Sequence, residues 1–406
     1  MPNLVMVMPY KAYLLAAKQE GFRVCAIWDP SLSSVMPTSP RDFPAYLEEL
    51  RGIADEFVLT DFDDEVGFAD VVAQAAKDFD ADLIYHVGQE NSMLATYRVA
   101  EQLDKAVNPA GSIELLNDKL AMRRLLAEHG VSTIKFAAAD RWQDVAALLD
   151  DFTLPVVVKP TELAGSRGVF LLRSRDELAE WGRLLDSYGY AGQLLVEEYL
   201  QGQEYSVETI SVEGVHHVIG VTTKSLSEPP LFVETGHLHP TPESPATKAI
   251  ADLAVELLTL TGYRTGPAHT EVISTAGGPK LVESQARLAG DRIPVLVKLA
   301  TGFDINQAIF RALAGRPLDP VVPQRYARVA YLEYPTGVLR SVDGLDAVRA
   351  LDFVAELSFP FVAGDVIPPV VDSKTRHGYV VLHGASPEEV VERVAEVRSM
   401  IDVHVG

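Results

Sequence analysis

The chain has 406 residues, 48% of them hydrophobic and 8% aromatic, and its 57 acidic against 35 basic residues give a formal charge of −22. That length suggests two or three domains with clefts between them, and that charge argues against a nucleic acid or an anionic membrane as partner. The single cysteine, Cys25, excludes a disulfide framework or thiolate metal cluster within the chain, and with no signal-like start or bilayer-length apolar run a cytoplasmic location is expected.

Residues 1–112 alternate short apolar runs (LVMVM, VCAIW, EFVLT, DLIYHV) with amphipathic stretches such as VGFADVVAQAAKDF and NSMLATYRVAEQL. Strands alternating with helical patterns indicate an α/β domain with a Rossmann-like parallel sheet. No G-x-G-x-x-G accompanies it, so the expected role is one wall of a cleft. A second unit, 113–200, opens where Asn117 or Asp118 can cap the helix KLAMRRLLAEH, which stops at Gly130. The strands LPVVVKP, GVFLL and QLLVEEYL follow, then EYSVETISV and HHVIGVTTKSL, in an α+β rhythm. In the unit 201–320, a Pro-rich segment EPPLFVETGHLHPTPESP precedes the helix TKAIADLAVELLTLTG, a hairpin between Pro267 and Arg287, and two further helices. Residues 321–406 mix strands with a final amphipathic helix, EEVVERVAEVRSMI, as an α+β extension packing on the unit 201–320.

The hairpin is the most informative feature. A register centred on Gly277 sets Glu271 opposite Glu283, His269 opposite Gln285, and Pro267 opposite Arg287, with the side chains of 269, 271, 283, 285 and 287 on one face. Two carboxylates facing each other are destabilising unless neutralised, and a hard divalent ion held by carboxylate and amide oxygens would do so. Nearby arginines or a register shifted by one residue are the alternatives.

Lys159 ends the apolar run VVVKP and Lys119 lies in the first turn of its helix; either can serve phosphate oxygens or simply solvate a strand or helix end. Gly165, Ser166 and Gly168 form a short loop whose amides could cover phosphates. The acids Glu197, Glu198, Glu204 and Glu208 follow on LLVEEYLQGQEYSVE, where a carboxylate can accept from ribose hydroxyls and an extended backbone can read adenine.

In order and spacing these pieces resemble the ATP-grasp superfamily over essentially the whole chain. The resemblance implies an ATP-grasp fold with an N-terminal Rossmann-like domain, a central lid and a C-terminal catalytic region. It implies ATP phosphates held by Lys119 and Lys159 under the loop Gly165, Ser166 and Gly168, adenine at Glu197, Glu198, Tyr199 and Leu200, and ribose at Glu204. The family signature E…ExNxR appears as Glu271 followed by ESQAR, which implies magnesium on Glu271, Glu283 and Gln285, two ions in all with manganese as a substitute, and Arg287 as the substrate-side cation. Gln285 replaces the usual Asn. FVETGHLHP, AHTEV, ESQARLAGDRIP and TRHGYVVLHGASPEEV look like the amino-acid ligase branch, which implies Glu234, His237, Arg287 and Gly290 at the substrate. The activity implied is amide formation between a carboxylic or amino acid and an amine through an acyl phosphate, with Arg287 and Lys159 catalytic. A homodimer stays open. The rival readings are a carboxylase or formate-dependent transformylase of the same superfamily, and a nucleotide-binding regulatory protein with a dead site.

Overall fold

The computed structural model describes residues 1–32, 42–88 and 90–406. The first apolar runs become the parallel strands Asn3–Val7, Arg23–Trp28, Glu56–Leu59 and Leu83–His86, in the order third, second, first, fourth. Helices cover this sheet, so the first two strands are buried on both faces, as their unbroken hydrophobicity requires. Its core is continuous with the helices Ile293–Thr301 and Ile305–Leu313, and Glu20 bonds Arg316 at 2.7 Å and Gln307 at 2.8 Å across the seam. Among the described residues no single helix is long and apolar enough to cross a membrane.

Asp118, not Asn117, caps the helix Lys119–His129, accepting from Leu120 N and Ala121 N at 2.8 and 2.9 Å, and Gly130 closes it at φ +69°. Asn117 instead accepts from the Ala286 amide at 3.0 Å, tying the helix start to the end of the hairpin. A small antiparallel sheet then forms from Phe136–Ala139, Leu194–Glu198, Val156–Pro160 and Phe170–Leu172, with the helix Leu178–Ser187 packed on it through Trp181 and Leu185.

The largest sheet has eight strands, every neighbouring pair antiparallel: Gly278–Gln285, Gly266–Thr275, Gly202–Val212, Val215–Leu226, Glu234–His239, Tyr326–Tyr331, Tyr379–Gly384 and Val354–Ser358. Three findings differ from expectation. The Pro-rich segment contains a strand: Pro229, Pro230, Pro240 and Pro242 flank Glu234–His239 and leave its own amides free to pair on both sides. Glu234 and His237 thus sit on a strand rather than in a loop. The region after residue 320 does more than pack on the sheet, because it supplies three of the eight strands.

The hairpin register is the third finding. Thr275 pairs with Gly278 around a two-residue turn, yet Glu271 pairs with Glu283 and His269 with Gln285. A bulge at Val282 reconciles the two, shifting the register between Glu271 and Val272. Without the extra residue Glu283 would turn to the opposite face. The freed Val282 carbonyl accepts from Arg123 at 3.1 Å. The expected pairing of Pro267 with Arg287 does not form: the hairpin strand ends at Gln285, and Pro267 pairs with Ile210 on its other side.

Candidate active site

Directly paired residues of an antiparallel sheet share a face. The register therefore carries one line of polar side chains across five adjacent strands: Gln285 and Glu283, His269 and Glu271, Glu204 and Glu208, Lys224, then His237 and Glu234. The opposite face of the same strands, at Val207, Val272 and Leu281, is buried in the hydrophobic cluster under the helix Pro245–Thr261. The polar line floors a cleft whose other walls are the small sheet, the loop after Lys159 and the segment Arg287–Ile293.

Every site residue expected from sequence lines this cleft except Gly168. Gly168 sits at φ +74°, its missing Cβ 2.8 Å from Pro160 and 2.9 Å from Leu185, so its α-carbon packs closely against the small sheet and its helix. Gly165, at φ +71°, and Ser166, at φ +59°, do turn the loop toward the cleft.

The charges are paired internally. Lys159, 4% exposed, bonds Glu197 at 2.7 Å, and Arg123 bonds the other Glu197 oxygen. Burial would raise the Glu197 pKa, but these two cations hold it down at about 2. The Glu197 side chain is thus a buried counter-ion to Lys159 and Arg123. Glu198 points the other way and accepts from the Lys135 amide at 2.8 Å, while Tyr199 and Leu200 continue along the rim beyond the strand end. Lys119 reaches Glu283 at 3.1 Å and the carbonyls of Thr161 and Leu163 at 3.3 and 3.4 Å. Burial acts to raise the Glu283 pKa, and Lys119 lowers it below the ordinary range.

Lys224 is the residue that sequence reasoning missed. It is 3% exposed and bonds Glu204 at 2.5 Å and Glu271 at 2.6 Å, with Glu234 at 3.9 Å. Three acids overcome its burial and push its pKa well above the usual lysine value. Glu271 is held low by Lys224 and His269, whereas burial and the neighbouring acids leave Glu204 raised although Lys224 touches it. His269 bridges Glu208 at 2.9 Å and Glu271 at 3.2 Å; despite burial, Glu208 and Glu271 raise its pKa to about 9. Lysines and a histidine, rather than arginines, thus neutralise the facing carboxylates.

On the far wall, His237 is 1% exposed and directs Nε2 to Asp291 at 3.1 Å. Arg376 grips Asp291 at 2.6 and 2.7 Å and lies 3.5 Å over the Tyr331 ring. This cluster, too, was not anticipated. Arg287 donates to the Leu288 carbonyl at 2.9 Å and packs against Gly88 of the N-terminal domain, whose Cβ, if present, would lie 2.9 Å from that of Arg287. A close approach and a φ of +136° both require glycine there.

Among the described residues no three His, Cys, Asp or Glu side chains form a closed metal cage. Magnesium needs none, since it is commonly held by one or two carboxylates and completed by phosphates and water. Glu271 and Glu283, paired across the hairpin, supply that pair. Gln285 turns its amide nitrogen to Glu283 at 2.6 Å, so its oxygen would join only after the amide turns over.

Residues 152–295 match the family described as ATP-grasp domain, and residues 330–406 match L-amino acid ligase C-terminal domain 2. An uncharacterized protein of Sinorhizobium fredii is 30% identical over 70% of this chain and 61% of its own length. Dapdiamide A synthase of Enterobacter agglomerans is 24% identical over 70% of each chain, and alanine–anticapsin ligase of Bacillus subtilis 27% identical over 61% of this chain and 57% of its own. The chain thus spans from 57% to 70% of the length of these relatives. An L-amino acid ligase from Bacillus licheniformis superposes with a TM-score of 0.79 at 24% identity, covering 100% of this chain and 99% of that one. Phosphoribosylglycinamide synthetase from Anaerococcus prevotii gives 0.69 at 15%, with both chains wholly covered. The fold is the ATP-grasp fold, and residues 152–295 carry the match to that family's domain. Residues 330–406, about the last fifth of the chain, carry the match to the L-amino acid ligase type. ATP-grasp ligases use ATP and magnesium generally.

Proposed function

We propose that the protein is an ATP-dependent ligase that joins an amino acid or similar carboxylate to an amine, releasing ADP and phosphate. The observation that carries the proposal is the polar line itself: it runs without a break from the facing carboxylates Glu271 and Glu283 to the far-wall acid Glu234, so a nucleotide site and an acid-lined subsite share one floor. In this reading Lys119, Lys159 and the Gly165 loop hold the phosphates, Tyr199 and Leu200 flank the base, and Glu204 meets the ribose. Glu271 and Glu283, with Gln285, would hold magnesium, which supplies charge neutralisation at the phosphates. Lys119 and Lys159 must then exchange carboxylate partners for phosphate oxygens. Glu234 and His237 bound the subsite for the amino acid, His237 acting through Asp291, and Gly290 lets the acyl group approach the chain.

A substrate carboxylate would attack the γ-phosphorus in line, and the amine would then displace phosphate from the acyl carbon. Arg287 would stabilise the oxyanion of that second step. A panel of amino acids and amines with ATP and magnesium, scored for phosphate and product mass, tests the reading. Amide products support it; dependence on bicarbonate or formate favours the carboxylase or transformylase alternative. Arg287→Ala is expected to bind ATP normally while amide formation falls by about 100-fold or more, and normal synthesis by that variant removes Arg287 from the mechanism.

A further inference from the structure

The segment Asp372–Arg376, more than eighty residues beyond the hairpin in sequence, reaches the cleft from the C-terminal region. Its contacts fall into two groups. Toward the small sheet, the Ser373 amide donates to the Gly165 carbonyl at 3.2 Å, and Asp372 accepts from the Tyr188 hydroxyl at 2.9 Å. Toward the far wall, the Ser373 hydroxyl donates to Glu234, Arg376 donates to the Glu234 carbonyl at 3.3 Å, and Arg376 grips Asp291. Arg376 also donates from Nε to the Ser373 carbonyl at 2.8 Å, so the two groups are rigidly joined. Asp372, 3% exposed, fixes the turn by accepting from the amides of Lys374 and Thr375 at 2.9 and 3.0 Å.

The two oxygens of Glu234 are used differently. Oε2 accepts from Ser373, and the Ser166 hydroxyl of the glycine loop lies 3.1 Å from it and 3.1 Å from the Phe232 carbonyl, its one proton shared between the two acceptors. Oε1 has no hydrogen bond among the described residues, since Lys224 stands 3.9 Å away and is held by Glu204 and Glu271. One oxygen therefore meets the loop, while the other faces the cleft with only the distant Lys224 ion pair at 3.9 Å, where a closer cation can be received. The wall beside it is held under strain. Asp291 and Arg292 are consecutive non-glycine residues at φ +52° and +65°, fixed by Arg376 and by Glu356 respectively.

We infer that the Asp372–Arg376 turn belongs to the working site: Ser373 and Arg376 are positioning residues through which a substrate ammonium at Glu234 is coupled to closure of the Gly165–Ser166 loop. The inference rests on the ligase reading for its substrate. An ammonium on Oε1 fixes the carboxylate, the fixed carboxylate holds both serine hydroxyls, and the loop closes over the nucleotide. By linkage, closure strengthens ammonium binding by the same factor. A closed loop also keeps water from an acyl phosphate.

The test compares Ser373→Ala and Ser373→Thr with the wild type. In Ser373→Ala the KM for the amino acid is expected to rise about tenfold, and phosphate released per amide formed to rise several-fold. Ser373→Thr, which keeps the hydroxyl, should restore both. Hydrogen exchange at residues 163–169, measured with a non-hydrolysable ATP analogue, should be about tenfold faster in Ser373→Ala than in the wild type. A merely structural serine would lower turnover at an unchanged phosphate-to-amide ratio and leave the loop's exchange unaltered; that result overturns the inference. Should the wild type make no amide with any amino acid, the ligase reading and the ammonium fall together. Loop exchange then decides the fastening alone, and wild-type rates in Ser373→Ala sink it.

Discussion

Replacing Glu283 with glutamine keeps the shape of the side chain and removes the charge that Lys119 meets at 3.1 Å. On the proposed reading the variant folds and loses ADP formation by about 100-fold or more; near wild-type turnover in a coupled ADP assay would end the metal assignment. Glu197 offers a test independent of activity. Its carboxyl is held at about 2 against an ordinary 4.5, so its stabilising contribution is complete above pH 4.5 and is lost as pH falls toward 2. The loss is on the order of 3 kcal/mol. Urea titrations between pH 5 and 2 should show this extra slope in the wild type and not in Glu197→Gln. Glu271 and Glu283 were legible because both lie on one short hairpin. Lys224 was not: nothing in HHVIGVTTKSL distinguishes it from a lysine at a solvated strand end, and the three acids it joins come from three other strands. Asp291 and Arg376 are 85 residues apart, and no local pattern relates them.

At the scale of elements, the helix Lys119–His129 connects the lid to the floor. Asp118 caps it, Lys119 reaches Glu283, and Arg123 holds both Glu197 and the Val282 bulge. Asp118→Ala should cost about 1 kcal/mol of stability and also weaken ATP binding several-fold, because the first turn carries Lys119. Isothermal titration together with thermal melts would check it, and a variant with lower stability but unchanged ATP affinity would dissociate Lys119 from the nucleotide. The helices and most strands were readable from apolar periodicity and caps. The strand Glu234–His239 was hidden by its flanking prolines, which read as a loop although none falls within it. The bulge was equally hidden. The expected register was right at the carboxylates and displaced near the turn, since backbone pairing there leaves no trace in side-chain alternation.

At the scale of the molecule, the eight-stranded sheet crosses the division drawn at residue 320. Strand Glu234–His239 is covered on one side by Tyr326–Tyr331, so ending the chain at residue 325 would bare an edge at the strand that bears Glu234 and His237. Such an edge pairs with other chains. The truncated protein is expected to aggregate, eluting in the void volume on size exclusion; a monomer with native circular dichroism would contradict this. The sequence indicates a mixed C-terminal region but not its sharing of a sheet, because pairing partners lie about ninety residues apart, as with Gly236 and Ala330.

The lysines seated on the two facing carboxylates have a consequence for how the site fills. Lys224 and Lys119 act as resident counter-ions for Glu271 and Glu283. A bare divalent ion arriving at this pair must break both of these ion pairs and sit beside two buried ammonium groups that repel it, and burial makes that costly. An ion that enters with a triphosphate brings the anion the displaced lysine needs. Order of addition should therefore matter: magnesium alone leaves the melting temperature of the nucleotide-free protein unchanged, and the same concentration raises it once ATP is present.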